Sequence, residues 1–240
     1  MSALRDITLD VNAGEFLTIV GPSGCGKTTV LNLIVGLTAP TRGTIQHKGR
    51  TARGINTEIG YVTQRDNLLP WRTLLANVEL GLEIRGVAPP ARRARAGEFI
   101  DKVGLGGFEH HYPHELSGGM RQRANIIRTL AYDPDVVLMD EPFGPLDALT
   151  RGLLQSDLLR LWQDTKKTIL FVTHDLVEAI VLADRTVIMT ARPGQIDRIV
   201  DVSLPRPRDV FHVHDMPGFR ETYAVVTEVI LAEVRKSSPP

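Results

Sequence analysis

Short apolar runs alternate with stretches of helical periodicity along the chain. Four runs have the apolar character of buried strands: 16–20, 136–140, 168–173 and 186–189. Polar or glycine-rich residues follow each run, and open α/β sheets bind their ligands at the C-terminal ends of such strands. The pattern predicts an α/β domain with a mainly parallel sheet and with functional residues at that edge.

A helical stretch interrupts this alternation between residues 67 and 133. Apolar residues recur there at helical spacing, namely Leu74, Leu75, Val78 and Leu82. Gly86 ends this pattern, and Pro89 starts a second helical stretch that reaches Val103. We expect one domain, 1–240, with a core lobe (1–66 and 134–202), a helical subdomain (67–133) and a C-terminal extension (203–240). The extension should carry an amphipathic helix over residues 219–234.

Composition excludes several classes of protein. The 240 residues include 28 Lys or Arg and 28 Asp or Glu, so no net charge attracts nucleic acid or anionic lipid. Cys25 is the only cysteine, which excludes an internal disulfide and a zinc cluster built from cysteines. The sequence has no apolar run long enough to span a bilayer and no secretory signal at its start, so we expect a cytoplasmic protein. The run Arg92-Arg93-Ala94-Arg95 is typical of a solvated helix face.

The most specific motif is Gly21-Pro22-Ser23-Gly24-Cys25-Gly26-Lys27-Thr28, which lies between a predicted strand and an apolar helix. It matches the phosphate-binding pattern G-x-x-x-x-G-K-[ST] in full, and a plain glycine turn would not need Lys and Thr in register. Small residues let backbone N–H groups surround phosphates, while Lys27 can reach the β- and γ-phosphates and Thr28 can ligate Mg²⁺. Because no activating partner for Cys25 can be named, we interpret it as a small residue in a tight turn.

A second candidate site lies where the strand 136–140 ends in Asp140 and Glu141 follows. A buried strand rarely ends in two carboxylates without a cation nearby, because burying charge is costly. Asp140 can hold Mg²⁺, and Glu141 can orient or deprotonate a water that attacks a γ-phosphate. An Asp-Glu pair after a strand is also common in plain turns. The phosphate-binding motif in the same chain favours the catalytic interpretation.

The third motif is Leu116-Ser117-Gly118-Gly119-Met120-Arg121-Gln122-Arg123, ahead of an apolar helical pattern. Taken alone, Ser117 predicts a helix N-cap, and the glycines predict a backbone that approaches another group closely. L-S-G-G-x-x-Q-R is the signature sequence of ATP-binding cassette (ABC) ATPases, which this chain resembles over nearly its whole length. The resemblance implies a P-loop NTPase fold of ABC type: a mainly parallel RecA-like sheet, an antiparallel β subdomain and a helical insertion.

The resemblance also assigns roles to residues that would serve one chain's own nucleotide. Residues 21–28, followed by Thr29, correspond to the Walker A loop that binds ATP. Asp140 corresponds to the Walker B aspartate, a ligand of Mg²⁺ together with Thr28. Catalytic roles fall on Glu141 as the catalytic glutamate, His174 as the switch histidine and Gln64 as the Q-loop glutamine, which also contacts Mg²⁺.

Other motif residues would act on a second copy of the chain. In the family, the signature loop closes over ATP held by the Walker A loop of the partner subunit. The corresponding residues here are Ser117, Gly118, Gly119 and Gln122, joined by Asp147 of the D-loop. The resemblance therefore implies two ATP molecules between two copies, so that hydrolysis is coupled to closing and opening of the dimer.

Within the family, the chain resembles the ATPases of nitrate, sulfonate and taurine importers. Three segments carry this resemblance, at 66–73, 139–147 and 191–194. The chain shows no long coiled coil, zinc cysteines, tandem cassette or fused membrane domain, which fits a subunit that docks on separate permease subunits. The resemblance implies solute import at the cytoplasmic face of the plasma membrane, with an integral permease and, indirectly, a periplasmic or lipoprotein solute-binding protein.

The segment 66–73 would lie where a permease docks in this family. Leu68, Leu69, Pro70 and Trp71 offer an apolar surface of the kind that anchors an interface. Trp71 could instead pack in the core of the helical subdomain, since aromatic residues usually pack inside. The sequence leaves these two interpretations of Trp71 open.

One feature departs from the family pattern. ABC ATPases stack the adenine on an aromatic residue upstream of the Walker A loop, whereas Phe16 is the only aromatic residue before Gly21 and lies in the adjoining strand. We therefore expect an N-terminally truncated β subdomain and weaker adenine stacking, and a mis-assigned start codon and a real truncation both remain open as explanations. Two functions remain open, a transport ATPase and a regulatory ATP-binding protein without hydrolysis. The complete set of motif residues favours the ATPase.

Overall fold

A central sheet dominates the computed structural model, which describes residues 3–237. The strands of the sheet are β1 Phe16–Val20, β4 Ile59–Val62, β5 Val136–Asp140, β6 Thr168–Val172, β7 Arg185–Met189 and β8 Ile196–Asp201. Their order is β4-β5-β6-β1-β7-β8. All neighbours are parallel except β8, which pairs antiparallel with β7. A separate antiparallel hairpin joins β2 Gln46–His47 and β3 Arg50–Thr51.

The helices of the described chain are α1 Lys27–Val35, α2 Leu74–Ile84, α3 Pro89–Lys102, α4 Gly118–Leu130, α5 Ala148–Thr165, α6 Leu176–Leu182 and α7 Phe219–Ser237. Helix α1 packs on one face of the sheet, while α5 and α6 pack on the other. Helices α2, α3 and α4 pack against one another, and α4 also contacts β4. None of the helices within residues 3–237 combines the length and apolar character needed to cross a membrane.

Strand β1 lies inside the sheet and is buried on both faces. Phe16 packs on one face against the rings of Trp162 and Phe171, while Leu17 belongs to the opposite face with Leu31 of α1. A parallel strand covered on both faces needs apolar residues throughout, which explains a continuous apolar run in place of alternation. A ligand can reach such a strand only at its end, where the loop that begins at Gly21 follows.

The expected fold class is confirmed, with small differences at element ends. Strand β6 ends at Val172, one residue before the predicted end, and β7 begins one residue earlier, at Arg185. The sequence pattern did not indicate the β2–β3 hairpin, because two-residue strands with largely exposed side chains carry no apolar signal. The division into core lobe, helical subdomain and C-terminal extension remains a prediction.

Candidate functional site

Four loops meet at the C-terminal edge of the parallel strands. Strand β1 leads into Gly21, β4 leads towards Gln64, β5 ends at Asp140, and β6 leads to His174. These strands are neighbours in the order β4-β5-β6-β1, so their loops lie side by side. One edge of the sheet therefore carries the phosphate-binding motif together with polar residues from three other segments.

The loop 21–28 leads into the start of α1 and fits a phosphate group. Gly24 and Gly26 have φ angles of 76° and 104°, in the left-handed region that favours glycine. Gly26 is the N-cap of α1 and provides no side-chain acceptor, so the first N–H groups of the helix remain available to an anion. The Lys27 ammonium donates to the carbonyl oxygens of Gly21, at 2.9 Å, and Pro22, at 3.3 Å. The loop and the start of α1 thus offer backbone N–H donors and one ammonium group to a phosphate.

Cys25 belongs to this loop, and its side chain is buried. Burial raises the pKa of its thiol, which favours the neutral and unreactive form. A Cβ at Gly194 would collide with the carbonyl oxygen of Cys25, so the backbone around Gly194 packs directly on the phosphate loop. This environment agrees with the interpretation of Cys25 as a small packing residue.

Thr28 and Asp140 form the candidate magnesium site. The Thr28 hydroxyl donates to Oδ1 of Asp140 at 3.2 Å. Burial raises the pKa of Asp140; burial and the Asp140 charge together raise the pKa of Tyr61 to about 12. Among residues 3–237, no three His, Cys, Asp or Glu side chains cluster in a way that could hold a metal ion. A hydroxyl beside one carboxylate nevertheless fits Mg²⁺, which takes few protein ligands and keeps water and phosphate oxygens.

Glu141 and His174 are brought together from neighbouring strands. Nδ1 of His174 lies 3.1 Å from Oε2 of Glu141, although 33 residues separate them. The Glu141 N–H donates to the carbonyl oxygen of Val172, and Glu141 has a φ of 45°, which is uncommon for a residue other than glycine. The His174 side chain is 60% exposed and that of Glu141 is 23% exposed, so both can reach a bound substrate.

A buried network supports the loop of His174, and sequence reasoning missed it. The Thr173 hydroxyl donates to Oε2 of Glu178, and the Gln155 amide donates to Oε1 of Glu178 at 2.8 Å. Burial raises the pKa of Glu178 to about 7. The Asp175 N–H in turn donates to the Thr173 hydroxyl at 3.0 Å. The residues before and after His174 are thereby held on helices α5 and α6.

The loop 117–119 and Asp147 form a second candidate surface at the starts of α4 and α5. Ser117 caps α4, and the Asp147 carboxylate accepts from the Thr150 N–H at 3.0 Å, which caps α5. A Cβ at Gly119 would lie 2.8 Å from Cγ2 of Thr150, so the two helix starts are in contact. Within the described residues, no hydrogen bond or ion pair joins this surface to the loop 21–28.

The two candidate glutamines differ in exposure. Gln64 is exposed, and its Nε2 lies 3.9 Å from where a Cβ at Gly144 would stand, close to Glu141 in sequence. Gln122 is only 3% exposed, and its Nε2 is buried without a hydrogen-bond partner in the described structure. The structure therefore places Gln64 at the strand edge and does not place Gln122 on the exposed surface of the loop 117–119.

The structure tests two interpretations made from the sequence, one for Trp71 and one for the arginines of residues 92–95. The Trp71 side chain is 71% exposed, so the interpretation as a core residue is wrong. The solvated-face interpretation holds best for Arg93, whose side chain is 73% exposed although its Nε lies 3.9 Å from Glu79. Arg92 is only 24% exposed with its Nε 3.7 Å from Glu79, and Arg95 packs over the Phe99 ring. Glu79 is 8% exposed, and a buried carboxyl group is best accommodated beside cationic side chains.

Comparison with known proteins gives consistent similarities. The model of the ABC transporter family matches residues 4–144. An uncharacterized ABC transporter ATP-binding protein of Methanocaldococcus jannaschii is 50% identical over 99% of this chain and 87% of its own length. A taurine import ATP-binding protein of Yersinia pestis is 48% identical over 81% of this chain and 76% of its own. An aliphatic sulfonates import ATP-binding protein of Bacillus licheniformis is 45% identical over 86% of this chain and 80% of its own length.

The fold is also similar to a solved ATP-binding cassette. That protein was solved as a dimer in a post-hydrolysis state bound to ADP and Pi. Its TM-score against this chain is 0.74, with 35% sequence identity over 83% of this chain and 90% of the other.

Proposed function

The chain belongs to the ABC transporter family and is an ATPase, and on this premise we propose that it is the ATP-hydrolysing subunit of an importer for a small anion such as a sulfonate, taurine or nitrate. The similarity to taurine and sulfonate import proteins supports this solute class. One structural observation carries the proposal. Glu141 and His174 lie in contact at the same strand edge as the complete loop 21–28 and the Thr28–Asp140 pair.

The loop 21–28 binds the triphosphate of ATP through its backbone N–H groups and Lys27, with Thr29 beside it in α1. Thr28 and Asp140 would hold Mg²⁺, which supplies positive charge to the phosphates when bound. Glu141 takes a proton from water while the water oxygen bonds to the γ-phosphorus and the bond to the bridging oxygen breaks, which releases phosphate and leaves ADP. His174 holds Glu141 in place and contacts the γ-phosphate, and Gln64 orients the same water.

The site is completed by a second copy of the chain. The loop 117–119 and Asp147 make no hydrogen bond or ion pair with the loop 21–28 of their own chain in the described structure. Ser117, Gly118 and Asp147 are exposed and Gly119 is half-buried, all at helix starts, where N–H groups favour anions. We propose that Ser117, Gly118 and Gly119 contact ATP in the partner, with Gln122 supporting the loop from inside α4. The dimeric cassette among the solved relatives supports this arrangement.

Exposed Trp71 supports docking on an integral permease. A side chain that is 71% exposed and aromatic is a common anchor of protein interfaces. It lies between the Gln64 loop and α2, in the proposed helical subdomain of residues 67–133, whereas the proposed core lobe (1–66 and 134–202) holds Lys27 and Glu141. Docking there places the chain at the cytoplasmic face of the membrane, and a solute-binding protein delivers the solute to the permease on the other side.

Uptake measurements in proteoliposomes test this function. The chain and its cognate permease are reconstituted, and accumulation of labelled taurine or an alkanesulfonate is followed with ATP inside and the solute-binding protein outside. Accumulation that is lost with Glu141→Gln supports the proposal. Hydrolysis without accumulation of any of these anions contradicts the solute class, and the absence of hydrolysis with and without permease favours the regulatory ATP-binding protein.

A further inference from the structure

Three polar side chains of α4 face the segment 63–67, which contains Gln64. They are Arg121, Asn125 and Arg128, spaced four and three residues apart and therefore on one side of the helix. The Asn125 amide donates to the Thr63 carbonyl oxygen at 3.4 Å. The Arg128 guanidinium donates to the carbonyl oxygens of residues 66 and 67, at 3.2 and 2.8 Å. One face of α4 thus binds the backbone on both sides of Gln64.

Arg121 joins this segment to the loop 117–119. Its Nε donates to Oδ2 of Asp66 at 3.0 Å, and its Nη1 donates to the carbonyl oxygen of Leu116 at 2.6 Å. Leu116 directly precedes Ser117, so one guanidinium contacts both the Gln64 segment and the residue just before the loop 117–119. The contact with Asp66 spans 55 residues of sequence, whereas the contact with Leu116 spans five.

The Asp66–Arg121 ion pair contributes little to folding. The side chains of Asp66 and Arg121 are 34% and 35% exposed, and ion pairs this exposed add little stability. The buried Asn125 and the half-buried Arg128 hold the backbone of the segment independently of this pair. The pair is therefore better explained by the geometry that it imposes than by stability.

We propose that Asp66 and Arg121 are positioning residues that fix the loop 117–119 relative to the Gln64 segment, so that the loop is preoriented for nucleotide held by a second copy. The inference rests on the proposed function, because the partner's nucleotide is what the loop meets. It predicts a separation of effects. Loss of the pair weakens closure of the dimer and leaves nucleotide binding to the loop 21–28 of the same chain intact.

The test measures nucleotide affinity and dimer affinity in chains that carry Glu141→Gln, which slows hydrolysis of the bound ATP. The variants are Asp66→Ala, Arg121→Met, both together, and Asp66→Asn in case Asp66→Ala folds poorly. MgADP affinity reports the loop 21–28, and the dissociation constant of the MgATP dimer, from sedimentation, reports closure. Glu98→Ala is the matched control, because Glu98 and Lys102 form an exposed pair on α3.

We expect each single variant to raise the dimer dissociation constant at least tenfold with MgADP affinity changed less than twofold. The double variant should be no worse than the poorer single variant, and Glu98→Ala should match the parent. Unchanged dimerisation in the Asp66 and Arg121 variants, or an equal loss of MgADP affinity, overturns the inference while the proposed function stands. A parent chain that binds MgATP and never dimerises overturns the proposed shared site, and the inference with it.

Discussion

Nδ1 of His174 lies 3.1 Å from Oε2 of Glu141, and the two side chains come from the ends of adjacent parallel strands. The pair is formed in a single chain, before any second copy is present. His174 therefore fixes the orientation of the carboxylate that we propose as the base. The loop 117–119 lies elsewhere, so the proposed chemistry uses one pair within the chain and one surface between two copies.

Replacement of His174 by alanine should abolish most hydrolysis without affecting nucleotide binding. A positioned acid–base partner contributes on the order of 10²- to 10⁴-fold to a rate, so we expect a fall in kcat in that range. Steady-state hydrolysis and MgADP titration measure the two effects. His212→Ala is the control, because His212 is an exposed histidine paired with Asp209 in the C-terminal extension. Equal losses in both variants would argue against a special role for His174.

Thr28 and Asp140 should determine the dependence on Mg²⁺. Asp140→Asn removes a charge and Thr28→Val removes a hydroxyl at nearly constant volume, so each should raise the Mg²⁺ concentration needed for half-maximal hydrolysis by at least about tenfold. Thr28→Ser keeps the hydroxyl and should behave like the parent. EDTA should stop hydrolysis by the parent, and Mg²⁺ should restore it. A parent that is insensitive to EDTA would contradict the magnesium site.

Glu178 should make stability depend on pH. Burial raises its pKa from 4.5 to about 7, so the folded chain holds a proton between these values while the unfolded chain releases it. The stability that this group contributes is fully present below pH 4.5 and is lost as pH rises to about 7. At about 1.4 kcal/mol per pKa unit, the loss is at most roughly 3 to 4 kcal/mol.

Glu178→Gln cannot titrate and should lack this loss. Urea unfolding of both proteins at pH 5 and pH 8 measures it, and we expect the variant to gain stability relative to the parent as pH rises. Glu221→Gln, at an exposed position in α7, should track the parent. Parallel stability curves for the parent and Glu178→Gln would show that the buried carboxyl does not titrate in this window.

Trp71 should matter for the permease and not for the isolated ATPase. Trp71→Ala removes an exposed aromatic side chain that makes no contribution to the core, so hydrolysis by the free chain should stay within about twofold. Binding to reconstituted permease should weaken at least about thirtyfold, as for an interface anchor worth 2 kcal/mol or more. Ile84→Ala, also exposed and in the same group of helices, is the control. Normal permease binding by Trp71→Ala would exclude this surface.

Local motifs made much of the fold and site predictable. The loop 21–28 and the Asp140–Glu141 pair are continuous in sequence, and each follows an apolar run that forms a strand. Because both strands belong to one parallel sheet, the loops that follow them lie at the same edge, as the pattern predicted. The small hairpin β2–β3 gave no signal, because its strands are short and exposed.

Contacts between distant segments could not be predicted in the same way. Glu178 accepts a hydrogen bond from Thr173, but in sequence it is one charged residue in a helical pattern and could equally lie on the surface. Only its burial in the folded chain shows that it supports the loop of His174. Asp66 and Arg121 are ordinary charged residues in sequence and meet only after α4 packs against β4. Trp71 was ambiguous because an apolar residue can pack inside or remain exposed for a partner, and only its exposure in the folded chain distinguishes the two.

The most direct test of a site shared between two copies is the rate of Mg²⁺-dependent ATP hydrolysis as a function of protein concentration, with Glu141→Gln beside the parent. We expect the rate to rise more steeply than linearly with concentration in the parent and to be absent in Glu141→Gln. A rate per chain that does not change across concentrations at which sedimentation shows monomers would contradict the shared site. Full activity in Glu141→Gln would contradict the role of Glu141 as the base.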